Sequence, residues 1–421
     1  MQELVMPYGD GVQRASVPDG IEIQTVDPLK KPVAGTEEEL LARAMEEPIG
    51  APRLEELARP DDTAVIVIND HTRPGPTPLM LDAIITRLRA AGVSDGDITL
   101  LFATGSHRAP TEDEARTIIG GKYYGKFRTV AHDCKRSPMT CVGRTESGVD
   151  VCINSIAAEC SLLITTGLIA PHHCAGYSGG RKSILPGIAS LSTIHAVHSF
   201  PVYQYEAAMG FVEGNPFHEL SLAAAKTAGV RYIVNAVQDP HKQSIAFVAG
   251  DLEKAHAEGV RRCAAESVTA IPKRADIVIA SPGGFPRDID LYQSQKALAV
   301  AELIGSAKCA FIIVAECRQG FGEETFKQWM QEEPTPQSII DRYAAEGFNV
   351  GNNKAFNYAR ALKKGKIYVV TDKIPRGELV KAKLDCSETL QGALDAALSE
   401  IDAKVITVIP HAANIVPKIA E

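Results

Sequence analysis

Thr63-Ala-Val-Ile-Val-Ile-Asn69 is an apolar run of strand length, and the segments downstream of it decide the kind of sheet it enters. Pro78 to Ala91 has helical period, Ile98 to Ala103 reads as a second buried strand, and Thr111 to Ile119 reads as a helix opened by Thr-Glu-Asp-Glu. Apolar strands alternating with helices are the pattern of parallel α/β architecture, not of a sandwich or a bundle. Ser161 to Thr166, Tyr232 to Val237 and Ile245 to Val248 continue the strands, and a helix follows across Leu252 to Ser267. A second series has strands at Asp276 to Ala280, Ala310 to Ala315, Ile367 to Thr371 and Val405 to Ile409, with a helix over Tyr292 to Ile304. Val5 to Val26 alternates enough to be strands ahead of the main sheet. The expected fold is α/β: two domains with mainly parallel sheets flanked by helices. The bridge Ala270 to Arg274 divides residues 1–269, which carry the candidate catalytic loops, from residues 270–421, whose last helix could return to the first domain.

A chain of 421 residues, 45% hydrophobic and 23% charged, can bury a large core. With 44 Lys and Arg against 52 Asp and Glu the net charge is −8, which offers no footprint to a polyanion and argues against nucleic acid. No apolar run approaches the roughly 18 to 20 residues of a membrane span, and the start lacks a basic segment followed by an apolar one. Membrane insertion and secretion are both disfavoured, and the cytoplasm is the expected location. Nine cysteines with no C-x-x-C pair suggest neither a disulfide framework nor a thiolate zinc site, so reduced thiols are expected.

In open α/β sheets ligands bind beyond the carboxyl ends of the strands, where loops splay and helix N-termini point into the gap. Three strand ends here are loaded with ionisable groups: Asp70-His71-Thr72-Arg73-Pro74, Thr104-Gly105-Ser106-His107-Arg108, and Gly167 to Ser183. Each alone could be a helix cap. Their recurrence at one edge of the sheet has no packing reason. Gly176-Tyr177-Ser178-Gly179-Gly180-Arg181-Lys182-Ser183 resembles a phosphate loop, with glycines exposing backbone N–H groups and a Lys supplying charge, but Arg181 breaks the Walker A spacing. A solvated turn is the other reading. His172, His173, His195 and His198 fall close together with no Cys or second close ligand that completes a tetrahedral zinc site by sequence, so a metal held by one of them needs its remaining donors from a cofactor. Gln293 and Lys296 lie at i, i+3 on the first turns of a helix, a pairing that suits a small carboxylate or an ordinary solvated helix start.

Taken in order, these pieces resemble the nickel-dependent lactate racemase family. The matching motifs are D-x-T-R-P at Asp70 to Pro74, G-S-H-R at Gly105 to Arg108, P-H-x-x-A-G-x-S-G-G-R-K at Pro171 to Lys182, P-G-x-A at Pro186 to Ala189, His198, and Q-x-x-K at Gln293 to Lys296. Pro7-Tyr8-Gly9 and Glu316 to Gly322 are also similar to the family, so the resemblance spans most of the chain. It implies racemisation or epimerisation at C2 of a 2-hydroxy acid on a nickel-pincer nucleotide, a pyridinium-3,5-bisthiocarboxylic acid mononucleotide covalently attached to Lys182, with His198 as the nickel ligand. It further implies His107 and His172 as acid and base, Arg73, Gln293 and Lys296 as substrate contacts with the active site in the cleft between the two domains, and Asp70, Thr72, Ser178, Gly179, Gly180 and Arg181 beside Lys182 around the cofactor. Cofactor biosynthesis proteins are implied as partners.

Two departures touch substrate choice. Gly75 stands where a bulkier residue is expected, and Gly351-Asn352-Asn353-Lys354-Ala355-Phe356 is an altered form of a family segment near the pocket. Lactate is the default; malate, an aryl or longer aliphatic acid, or a sugar acid would use the same machinery. Two other functions stay open at this point: a nicotinamide-dependent hydroxy acid oxidoreductase, against which the missing G-x-G-x-x-G counts, and a non-enzymatic nucleotide or nickel carrier.

Overall fold

The structure is a computed structural model describing residues 2–26, 35–203, 209–239, 242–412 and 415–420. It divides into two compact units, Lys30–Glu266 and Met1–Leu29 with Ser267–Glu421. β1 (Gln2–Tyr8) and β2 (Gly11–Val17) form an antiparallel hairpin, and β3 (Glu22–Thr25) runs parallel to the Val405–Ile409 strand at a sheet edge. These strands, expected in a first domain of residues 1–269, therefore fold with the C-terminal residues. Burial explains the exchange. Leu4, Met6, Ala15 and Val17 share one core with Ile277, Ile312 and Ile406, and a hairpin alone is marginal in water. The last helix, Leu390–Glu400, also stays in this unit, its Leu390, Ala393, Leu394 and Ala397 buried in the same core.

The Lys30–Glu266 unit is built on β4 (Ala64–Asn69), β5 (Ile98–Ala103), β6 (Arg128–Ala131), β7 (Met139–Arg144), β8 (Asp150–Asn154), β9 (Leu162–Ile169), β10 (Pro171–His172), β11 (Gly176–Tyr177), β12 (Val230–Gln238) and β13 (Ser244–Gly250). Its main sheet runs β13-β12-β9-β4-β5-β6, parallel except for the β12-β13 edge pair. Every residue of β4 is buried, which is why the strand reads as an unbroken apolar run. The helices after β4 and β5, Thr77–Ala90 and Glu112–Ile119, start on Pro78 and on a Thr111/Glu114 capping box. Met80, Ile84 and Leu88 then pack beneath Ile66, Ile68 and Leu100.

The β7-β8 hairpin carries a correction. Cys141 and Cys152 face each other across its register and are joined as a disulfide, so not every cysteine is the thiol expected. Hairpin register sets this pairing, and no short Cys spacing announces it.

The other unit continues with β14 (Val268–Ile271), β15 (Ala275–Ala280), β16 (Gly305–Val314), β17 (Gly365–Val370), β18 (Asp385–Ser387), β19 (Val405–Ile409) and β20 (Val416–Ile419). Its main sheet, β18-β17-β16-β15-β19-β3, is parallel throughout, and β14 pairs with β20 beside it. Among the described residues no helix is long and apolar enough to cross a membrane.

Candidate functional site

Strand order reverses beside β4, since β5 and β6 lie on one side of it and β9 and β12 on the other. The loops leaving β4 and β9 therefore diverge at a topological switch point, where open α/β sheets bind ligands.

Asp70 follows β4 and is 1% exposed. Its Oδ1 accepts the Thr72 backbone N–H at 3.1 Å and the Thr72 hydroxyl at 2.6 Å, a turn that fixes the carboxylate. Its Oδ2 accepts from His107 Nδ1 at 2.7 Å. Burial alone would raise the Asp70 carboxyl, but the bonds from His107 and Thr72 and the charges of His107 and Arg73 outweigh it and hold the pKa below the usual range. Asp70 is thus ionised, His107 carries its fixed proton on Nδ1, and proton exchange is left to Nε2 on a side chain that is 43% exposed. Arg73 Nη1 donates to the Thr72 hydroxyl at 3.0 Å. Arg108, from the same strand-end cluster as His107, is instead spent on a fork to Glu114 at 2.7 Å.

Hydrogen bonds weld the His107 loop to the loop that carries Lys182. Gly105, at φ +57°, donates its N–H to the Gly187 carbonyl at 2.8 Å. The Thr104 hydroxyl donates to the His132 carbonyl at 2.5 Å, and His132 Nε2 donates in turn to the Ala189 carbonyl at 3.0 Å. Burial keeps His132 neutral by lowering its pKa, and Asn154 donates to its Nδ1 at 3.2 Å.

After β9 the chain makes a tight antiparallel turn, β10 to β11, with His172 opposite Gly176. The backbone N–H groups of Cys174 and Ala175 both donate to His172 Nδ1 at 3.3 Å, so the neutral ring carries its proton on Nε2. His173 stacks on His172 with centroids 4.7 Å apart, and its Nε2 lies 3.0 Å from the Tyr203 hydroxyl.

His198 caps the Leu191–Val197 helix, and its Nδ1 donates to the Ile194 carbonyl at 3.0 Å. That bond sets the lone pair on Nε2, the arrangement metal-ligating histidines use. The His198 ring stands edge-on to Phe217, 5.3 Å between centroids; Lys182 Nζ lies 4.5 Å from the centroid of the same ring, and His172 lies 6.4 Å from it. One buried phenyl ring thus gathers three of the histidine and lysine candidates. Phe217 is itself held by Asn215, which caps the Pro216–Thr227 helix by accepting from Phe217 and His218 N–H and donates to the Cys174 carbonyl at 3.1 Å. Asn-Pro signals a helix start in the sequence, but nothing there tells which ring faces Lys182. Lys182 is only half-buried by surface area, yet protein surrounds its ammonium. Burial pushes it down to about 7; Cys174 opposes this, and the charges of Arg73 and Arg181 add to it.

The remaining loop residues hold the loop's own shape. The Ser178 hydroxyl donates to the Leu168 carbonyl at 2.7 Å and accepts from Ala170 N–H at 3.0 Å. Gly180 N–H donates to Asn235 Oδ1 at 2.8 Å, and a Cβ on Gly179, at φ +79°, would lie 2.7 Å from Ile169. Arg181 is fully buried, its guanidinium donating to the carbonyls of Ala175 and Tyr177 at 2.7 and 2.8 Å and to His256 Nε2 at 2.7 Å. Arg181→Met is therefore expected to cost about 3 kcal/mol or more of stability, because several buried carbonyls lose their donor at once. Chemical denaturation checks this, and a loss under about 1 kcal/mol would refute the clamp.

In the other unit, Asp290 caps the Leu291–Ile304 helix by accepting from Gln293 N–H at 2.6 Å, which leaves the Gln293 side chain half-buried and Lys296 exposed. The departures also acquire physical form. A Cβ on Gly75 would lie 3.0 Å from Leu168, so Leu168 fills the room a larger residue at 75 would take. Lys354 is buried, with its ammonium on Gln295 Oε1 at 2.7 Å.

Comparison with known proteins adds to this geometry. Residues 8–210 match the family profile described as the lactate racemase N-terminal domain, and residues 270–416 match that of the lactate racemase C-terminal domain. The chain is 35% identical over 429 residues to lactate racemase of Thermoanaerobacterium thermosaccharolyticum, covering 99% of each, and 35% identical over 396 residues to that of Lactiplantibacillus plantarum, covering 91% of each. The solved structure of the Thermoanaerobacterium lactate racemase apoprotein superimposes with a TM-score of 0.91 at 33% identity, over 99% of this chain and 100% of that one. A Thermotoga maritima protein that is 16% identical shares the fold alone, with a TM-score of 0.65 over 87% of this chain and 96% of its own.

Proposed function

The chain belongs to the lactate racemase family and is an isomerase of the racemase class, and on that premise we propose that it inverts C2 of a 2-hydroxy acid, with lactate as the default substrate, using a nickel-pincer nucleotide tethered to Lys182. The observation that carries this reading is the approach of Lys182, His198 and His172 to the one ring of Phe217. The residues fit the group. An amine titrating near 7 is substantially neutral at physiological pH, the form that can enter a thioamide bond, and the His198 tautomer offers Nε2 to a nickel ion whose other donors are sulfur and carbon. When bound, such a group would supply an electrophilic ring carbon suited to exchanging hydride with C2.

Everything else falls to the chain's own residues. Ionised Asp70 orients His107 and stabilises the imidazolium formed when Nε2 takes the hydroxyl proton of one enantiomer. His172 exposes the opposite polarity, since its Nδ1 is already an acceptor and its neutral ring bears the proton on Nε2. Both rings are neutral and differ in tautomer, and each would pass through the imidazolium as it takes up and returns a proton, which suits a reaction that must run in both directions. Arg73, whose charge is felt at both Asp70 and Lys182, is the residue for a bidentate grip on the substrate carboxylate. Gln293 and Lys296 keep the substrate role implied by the family resemblance. Asp70 and Thr72 are read as positioning groups for His107, and Ser178 to Arg181 as the scaffold of the tether loop.

The test is the mass and nickel content of protein from a host that makes the cofactor, with optical rotation of L-lactate followed on the same sample. A sulfur-containing mononucleotide adduct on Lys182, bound nickel and racemisation without added NAD are expected. An unmodified, nickel-free chain from cells that load a control racemase would refute the tether.

A further inference from the structure

His172, His173 and Cys174 are consecutive in the β10-β11 turn, and each brings one ligand atom within 4.8 Å of the other two. We propose that this turn is a second metal site, for a thiophilic divalent cation such as zinc(II) or cobalt(II), distinct from the nickel position assigned to His198. The donors are already close to the required spacing. Metal bonds of about 2.3 Å to sulfur and about 2.0 Å to nitrogen, at a tetrahedral angle, set two donors about 3.5 Å apart. Cys174 Sγ and His172 Nδ1 lie 3.4 Å apart. The tautomer is right as well, because His172 Nδ1 is unprotonated: its lone pair accepts the Cys174 and Ala175 backbone N–H groups, which a cation would displace. His173, stacked on that ring at 4.7 Å, brings the third donor by turning away from Tyr203.

The turn is held before any cation arrives. The Asn215 amide grips the Cys174 carbonyl at 3.1 Å. Gly176, at φ +73°, sits so close to Phe211 that a Cβ would fall 2.0 Å from its carbonyl oxygen. With two donors already at ligand spacing, His173 is the ring that must reorient on binding. One thiolate and two imidazoles select zinc, cobalt, nickel or copper over magnesium or calcium, whose preferred donors are oxygens. Binding is a simple exchange: the cation takes the place of the Cys174 thiol proton, which leaves to solvent, while both imidazoles remain neutral and no electrons move. On the racemase reading a cation on Nδ1 also bars His172 from becoming an imidazolium, so occupancy inhibits. The site itself does not rest on that reading.

Apoprotein from a host without the cofactor pathway, titrated anaerobically with cobalt(II), separates the two. One equivalent should bind with a thiolate-to-cobalt charge-transfer band in the near ultraviolet, displaceable by zinc(II). The band should vanish in Cys174→Ser, the cobalt Kd should rise at least tenfold in His173→Gln, and both should be unchanged in His198→Ala, with circular dichroism confirming that each variant is folded. No band in the wild-type protein, a band that survives Cys174→Ser, an unchanged Kd in His173→Gln, or a band lost in folded His198→Ala overturns the proposal. Should Cys174→Ser fail to fold, the His173→Gln and His198→Ala results decide it alone.

Discussion

Lys182→Ala is expected to give a folded chain with no mononucleotide adduct and no racemisation above background, whatever host it is made in. The loss should be complete, because the adjacent cation cannot substitute. Arg181 is locked on backbone carbonyls. The same substitution reports on the lysine's electrostatics in the apoprotein. Burial lowers the folded pKa of Lys182 from an ordinary 10.5 to about 7, so between those values the unfolded chain binds a proton that the folded chain does not. Stability contributed by this group therefore rises with pH across that window, as the cost of enclosing an ammonium is relieved. Denaturation of wild-type and Lys182→Ala apoprotein should show the variant's relative advantage shrinking from pH 7 to 10. A constant difference would mean that the amine is not desolvated. Retained activity in the variant would remove the tether altogether.

The central parallel strands are legible because a strand buried on both faces writes itself as an apolar run. Ile98–Ala103 and Val405–Ile409 have the bounds read from the sequence. The β7-β8 hairpin was not, since β7 is largely exposed and lacks that run, and β10 and β11 are only two residues each. The first strands are legible as strands, but not their place with the C-terminal residues, because that is decided by a core that the local pattern does not mention. At the site, charged groups at strand ends announced themselves. What the sequence could not say is which way they face. Arg181 is placed around the cofactor by resemblance, and its guanidinium turns inward onto its own loop. No sequence signal singles out Phe217, whose ring is where Lys182 and His198 converge.

Asp70→Asn should lower kcat by about 10³-fold with little change in KM, by the physics that makes a buried carboxylate orient a catalytic histidine elsewhere. The carboxylate does two things an amide cannot do together: it accepts from His107 Nδ1 at 2.7 Å and from Thr72 N–H and hydroxyl, and it balances the imidazolium that forms when Nε2 takes a proton. Asparagine has one carbonyl oxygen for these donors, and its NH₂ group facing His107 would drive the ring proton from Nδ1 to Nε2, blocking the base. A purely structural loss would look different. It would lower stability and add to any other lesion. Asp70 acting through His107 predicts that the Asp70→Asn, His107→Ala double variant is no slower than His107→Ala alone, because a residue that works by orienting a base has nothing to orient once the base is gone. Rates for the two singles and the double, with denaturation midpoints on the same samples, decide it: multiplicative losses would detach Asp70 from His107 and return it to the fold.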